Sequence, residues 1–197
     1  KFPSTKSSLD SSKKKFEMIL VESLLEKDFC FHMEFDENVL HYFPQPKTFS
    51  FFHESLIKHK YTPDFEIHYV GGGKAYVEVK KNFMGLDDAY LSKLDMAAIE
   101  MKASGYDFYR IDESYINVQP FLDNARKLQR YRVGQFVNLE SLILLKESVQ
   151  HPKILGDIIN NSSGIGVDVI YGLIAAGYIK IDLVSEQLSI NVEVSYG

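Results

Sequence analysis

A chain of 197 residues, 45% hydrophobic and 25% charged, is long enough to bury one sizeable core or to divide into a larger and a smaller unit. Its formal charge of −5 argues against tight, unassisted binding to nucleic acid, and its single cysteine excludes an internal disulfide. No apolar run reaches the ~18 to 20 residues of a membrane span, and the N-terminus lacks a signal peptide's hydrophobic core, so the expectation is a cytoplasmic, intracellular protein.

In chain order, residues 1–13 read as a flexible lead-in. Lys13, Lys14 and Lys15 form a small cationic run whose plain reading is a solvated approach to the first helix. Residues 16–26 have apolar positions at helical spacing, with Ile19, Leu20, Leu24 and Phe16 on the inner face. Glu22 falls beside that stripe. Glu17 and Glu26 read as solvated, although the same spacing keeps Glu26 as a substitute for Glu22. Cys30, between Phe29 and Phe31, reads as a core residue.

The central stretch has the clearest pattern. Residues 65–70 alternate as a half-buried strand, Gly71-Gly72-Gly73 supplies a tight turn, and residues 75–80 return as a second strand. No Gly-Lys-Ser/Thr follows the glycines, so they are not a phosphate loop. A hairpin in this register brings Asp64, at the start of one strand, to Glu78 and Lys80, at the end of the other. Residues 87–101 then read as a helix ending near Gly105, and residues 106–111 as a further strand.

The richest cationic cluster is Arg126-Lys127-Leu128-Gln129-Arg130-Tyr131-Arg132, which reads equally as a track for a DNA backbone or as the solvated face of a helix. Beyond it, helices are expected over 139–149, 152–160 and 167–176, and a β-hairpin over 178–183 and 187–192. Three helices and a hairpin describe a winged helix. Its third helix has no cation and is largely apolar, which favours protein docking over DNA reading. Residues 1–125 hold 15 Lys/Arg against 20 Asp/Glu, whereas residues 126–197 hold 7 of each.

Asp64, Glu78 and Lys80 make chemical sense together. Mg²⁺ takes oxygen ligands and keeps several waters, using one or two carboxylates plus substrate phosphate. The ion polarises a phosphate and lowers the pKa of a bound water. Lys80, two residues beyond Glu78 and on the same strand face, can orient or deprotonate that water, or neutralise charge on the phosphate. Separately, a Pro-Asp step is a turn and a Glu-Xaa-Lys pair an ordinary ion pair; the hairpin that unites them gives the metal reading its weight. The six histidines, among them His53, show no zinc-type spacing, and no Gly-Xaa-Ser-Xaa-Gly elbow occurs.

Glu22-Ser23-Leu24-Leu25-Glu26, Phe43-Pro44-Gln45-Pro46, Tyr61-Thr62-Pro63-Asp64-Phe65 and Val77-Glu78-Val79-Lys80 together resemble the PD-(D/E)XK nuclease core in the form found in TnsA-type transposon endonucleases. Motifs carry the resemblance over roughly residues 14 to 115, and domain order carries it beyond. It implies an α/β fold: a restriction-endonuclease-like mixed sheet flanked by helices over 1–125, followed by a C-terminal winged-helix domain over 126–197 that docks a partner. It implies Glu22, Asp64, Glu78 and Lys80 as the catalytic set, the three carboxylates holding Mg²⁺ or Mn²⁺, with Gln45 in support. Lys81, Arg126, Lys127, Arg130 and Arg132 are candidate DNA contacts. The implied activity is DNA cleavage at transposon 5′ ends beside a TnsB-like transposase and a TnsC-like AAA+ ATPase, the latter meeting the C-terminal domain. Two alternatives stay open: a catalytically idle adaptor, and a stand-alone nuclease of restriction, repair or homing type.

Overall fold

The computed structural model describes residues 1–9, 16–52, 58–134, 136–162 and 164–197. Lys13 to Lys15 and the pair His53 and Glu54 therefore lie outside the described residues. The chain is a mixed α/β protein that separates into two compact units, Lys1–Asn117 and Val118–Gly197. The boundary falls ahead of the expected 125/126 because residues 121–133 form one uninterrupted helix.

In the first unit, β1 (Phe2–Ser4) pairs with β2 (Glu17–Ile19), and α1 (Leu24–Phe35) follows. This corrects the expected helix over 16–26. The cause is Ser23, whose hydroxyl accepts the Glu26 N–H at 3.0 Å and so fixes the N-cap. Leu20 and Leu24, assigned to an inner face, are 66% and 79% exposed.

The sheet that positions the site has four strands in the order β3 (Val39–Pro44), β6 (Phe65–Tyr69), β7 (Lys74–Lys80), β8 (Asp107–Asp112). The first two pairings are antiparallel and β7 with β8 is parallel. The β6–β7 hairpin closes through Gly72, whose φ of 88° is the left-handed conformation that glycine adopts without cost. Phe65 faces Val77 across it, the register that the alternation implies. Between β7 and β8 runs α2 (Asp88–Ala103), the connection a parallel pair requires. A separate pair, β4 (Phe49–Phe52) with β5 (Lys58–Tyr61), precedes the hairpin.

Both faces of β7 are covered. Tyr76 joins Phe51, Tyr61, Leu94, Ala97 and Met101 in one buried cluster, so α2 closes that face. Phe65 meets Phe29 of α1 at a ring distance of 5.0 Å. With both faces covered, β7 is buried from Ala75 to Val79, Glu78 included. A short helix, α3 (Glu113–Ile116), ends the unit.

The second unit contains α4 (Phe121–Val133), α5 (Leu139–Ser148), α6 (Leu155–Asn161) and α7 (Val167–Ala175). α7 is apolar because it is core: Ile170 and Leu173 are fully buried and Gly172 lies against Phe136. Its lack of cations therefore accords with packing in the core of the unit, while Val167 at its start is exposed. The expected hairpin of 178–183 with 187–192 is replaced by β9 (Ile179–Lys180) paired antiparallel with β10 (Ser195–Tyr196). Side chains claim the intervening backbone. Asp182 Oδ1 accepts the N–H groups of Val184 and Ser185, and buried Asn124 binds the carbonyls of Leu183 and Glu186 and the N–H of Leu188. Those groups are then unavailable to a ladder. Among the described residues no helix is long and apolar enough to cross a membrane.

Candidate active site

The hairpin carries Asp64, Glu78 and Lys80 to one place. Lys80 Nζ lies 2.6 Å from Glu78 Oε1 and 3.6 Å from Asp64 Oδ2, so its ammonium bridges the two carboxylates. Asp64 is fixed from both sides along the chain. Its Oδ2 accepts the Val79 N–H at 2.7 Å, and its carbonyl accepts the Gln45 N–H at 2.8 Å. Gln45 makes that bond from a φ of 45°, an uncommon conformation for a side-chain-bearing residue between two prolines. Its contribution to the site is thus through its backbone; the side chain is exposed.

Glu78 is only 2% exposed, an expensive place for a carboxylate without partners. Its Oε2 accepts the Tyr61 hydroxyl at 2.5 Å, while Oε1 accepts the Tyr90 hydroxyl as well as the Lys80 ammonium. Tyr61 comes from β5 and Tyr90 from the first turn of α2, so three elements converge on one carboxylate. Burial and the Glu78 charge push both phenols up, Tyr90 to about 12, which keeps each a hydrogen-bond donor at neutral pH. Tyr61 stands in the Tyr-Thr-Pro-Asp-Phe motif, where the sequence assigned it no role, and Tyr90 stands in none; only the fold brings the two together on Glu78.

From the N-terminal segment it is Glu26, not Glu22, whose charge reaches Asp64. Glu22 is exposed and precedes the helix. Glu26 is 8% exposed, and its carboxylate is pinned at the helix start, Oε1 accepting the Ser23 hydroxyl and Oε2 the Glu22 N–H, both at 2.9 Å. Ser23-Leu24-Leu25-Glu26 is a Ser-Xaa-Xaa-Glu capping signature, a signal that could have placed Glu26 in advance.

The electrostatics follow from this crowding. Burial, then the charge of Glu78, push the Asp64 carboxyl up to about 6, with Glu26 adding to the effect; the Val79 hydrogen bond and Lys80 offset it only in part. Burial works against the charge on Lys80, but its hydrogen bond to Glu78 and the charge of Asp64 outweigh that and hold the ammonium above the ordinary lysine range. The site is therefore short of positive charge, with Lys80 as the cation between Asp64 and Glu78.

Two carboxylates with that deficit suit a hard divalent cation that fills its remaining positions with water and phosphate oxygen. Among the described residues no set of three His, Cys, Asp or Glu stands at metal-binding spacing, so Glu22, Asp64 and Glu78 are not assembled as a three-carboxylate cage. Lys81, one residue beyond Lys80, is exposed and lines an open cleft of about 440 Å³ with Asn82, Asp112, Glu113, Ser114 and Asn117.

In the second unit the cationic cluster lies on α4. Arg126, Lys127 and Arg130 are exposed, whereas Arg132 turns away and donates to the Ala175 carbonyl at 2.7 Å. Compared with known proteins, the chain matches no family model and no curated protein sequence.

Proposed function

We propose that the chain is a Mg²⁺-dependent DNA endonuclease subunit of the TnsA kind, its Lys1–Asn117 unit a restriction-endonuclease-like nuclease and its Val118–Gly197 unit a partner-docking module related to winged helices. One observation carries the reading: Asp64, Glu78 and Lys80 converge at the end of one hairpin, with Asp64 raised to about 6 by its burial and by the neighbouring carboxylate. A purely structural ion pair gains nothing from a second buried carboxylate, whereas a cation site requires one.

Asp64 and Glu78 would hold Mg²⁺, or Mn²⁺ in its place, and Glu26 takes the supporting role that the motif resemblance gave to Glu22. When bound, the metal supplies charge neutralisation at the scissile phosphate and a more acidic water. Tyr61 and Tyr90 orient the Glu78 carboxylate. Lys80, held protonated, is suited to meet phosphate oxygens as a cation rather than to remove a proton as a base.

The excess of acids explains why such an enzyme would work inside an assembly. With phosphate neutralisation contributing little, DNA at the transposon 5′ ends would be delivered by a TnsB-like transposase and a TnsC-like AAA+ ATPase docked on the second unit. A nicking assay with those partners and Mg²⁺ tests the proposal, with Asp64→Ala beside the wild type. Equal cleavage by the two proteins would sink the catalytic assignment, and vigorous cleavage of plain DNA without partners would point to a stand-alone nuclease.

A further inference from the structure

We propose that the Val118–Gly197 unit carries a binding groove for single-stranded nucleic acid, in which Arg126, Lys127 and Arg130 meet phosphates and Tyr171 offers its ring to a base. The groove, of about 510 Å³, is lined by Arg126, Lys127, Arg130, Tyr131, Tyr171 and Leu188. Its volume lies within the ~300 to 1,000 Å³ range of small-ligand sites, so a nucleotide unit fits. Three of the unit's seven Lys/Arg are gathered here, and among the described residues no carboxylate belongs to the lining, although the unit has eight Asp/Glu.

The walls are built rather than incidental. α4 packs against α7, and Tyr131 of α4 stacks on Tyr171 of α7 with ring centres 5.2 Å apart and planes 20° apart. Arg130 places its guanidinium 4.4 Å from the Tyr131 centroid and donates to the Tyr131 hydroxyl, which holds a flat cationic surface at the groove. Leu188 completes the lining, and its position is fixed by Asn124. That residue is fully buried and spends its amide on the carbonyls of Leu183 and Glu186, at 2.9 and 2.8 Å, and on the Leu188 N–H at 2.8 Å.

Cations beside an aromatic stack are the combination that tracks a single-stranded backbone while its bases stack, and stacking tolerates any base because each has a π-face. A duplex keeps its base faces inside and would use only the cations. Two acids temper that weaker mode: Asp123 lies 3.4 Å from Arg126, and the charge of Asp168 reaches Arg130. An acidic peptide would likewise use the cations and leave Tyr171 idle. Arg132, committed to Ala175, is excluded from the contact set.

The groove lies within one unit and involves none of the metal-site residues, so it stands or falls apart from the nuclease reading. The test is fluorescence anisotropy with the full chain in EDTA, using a short labelled oligothymidylate, its ribo-oligouridylate counterpart, the duplex of the same length and a polyglutamate peptide. Tighter binding to one of the two single strands than to the duplex or peptide is expected, and the tighter of them names the source. Tyr171→Leu should weaken that binding by at least about fivefold without changing its salt dependence. Lys127→Gln, at an exposed position that leaves packing intact, should reduce the salt slope by about 0.7. Single strands bound no better than duplex or peptide, or a Lys127→Gln protein with wild-type affinity and slope, would overturn the proposal.

Discussion

Asparagine in place of Asp64 separates the electrostatic cost of the site from its packing. The substitution keeps the shape and an oxygen for the Val79 N–H, now received at 2.7 Å, but removes the charge. In the folded chain burial, then Glu78, raise the Asp64 carboxyl from 3.8 to about 6. Between these values the folded state binds more protons than the unfolded state, so stability falls as pH rises through that window and the deficit is complete above about 6. At ~1.4 kcal/mol per unit, ionised Asp64 costs the folded chain up to about 3 kcal/mol. The side chain is only 22% exposed, so solvent screens little of this. Asp64→Asn should therefore unfold about 5–10 °C above the wild type at about pH 8 in EDTA, with the gap closing toward about pH 4. On the proposed reading Mg²⁺ should narrow the gap as well, because it would stabilise the wild type alone. Thermal unfolding followed by circular dichroism over this pH range provides the measurement. A variant no more stable than the wild type at about pH 8, or a gap that persists at about pH 4, would refute the charge-deficit argument.

Tyr61→Phe removes a 2.5 Å hydrogen bond to buried Glu78 and should destabilise the protein by about 1–3 kcal/mol in urea titrations, with nicking reduced because Glu78 loses its orientation. Glu26→Gln should lower the Asp64 pKa, read by NMR titration, and impair nicking, whereas Glu22→Gln at an exposed position should leave both near wild type; the reverse pattern would return the third carboxylate to Glu22. Gly172→Ala would place a Cβ 2.8 Å from Phe136 Cβ and 3.0 Å from that residue's carbonyl, so a loss of about 1–3 kcal/mol is expected in urea titrations, and an unchanged midpoint would show that the segment yields.

The hairpin was legible because its signals are local and agree: alternation on both strands, glycine at the turn, and a register that sends Asp64 to Glu78. What escaped the sequence depends on competition between distant groups. Periodicity carried a helix back to residue 16, but one hydroxyl at Ser23 caps it there, and the cap moves the inward carboxylate from position 22 to 26. Residues 178–183 and 187–192 read as paired strands until Asp182 and Asn124 take the hydrogen-bonding groups between them. Tyr61 and Tyr90 meet Glu78 from 17 and 12 residues away, a distance at which no spacing rule operates.

The same competition gives the site its character. Glu78 is partnered by two phenols and an ammonium, whereas Asp64 beside it stays short of positive charge. A fold selected only for stability would replace Asp64 by a neutral residue, since the Val79 N–H needs just one acceptor. The Asp64 carboxylate is an electrostatic cost that a bound cation would relieve, and on the proposed reading that cost would tie the stability of the first unit to metal binding. On the proposed reading the chain is least stable when the site is empty, so binding of Mg²⁺ would rigidify the hairpin end where Asp64, Glu78 and Lys80 meet. Amide exchange at Val79, whose N–H reports directly on Asp64, should slow on adding Mg²⁺.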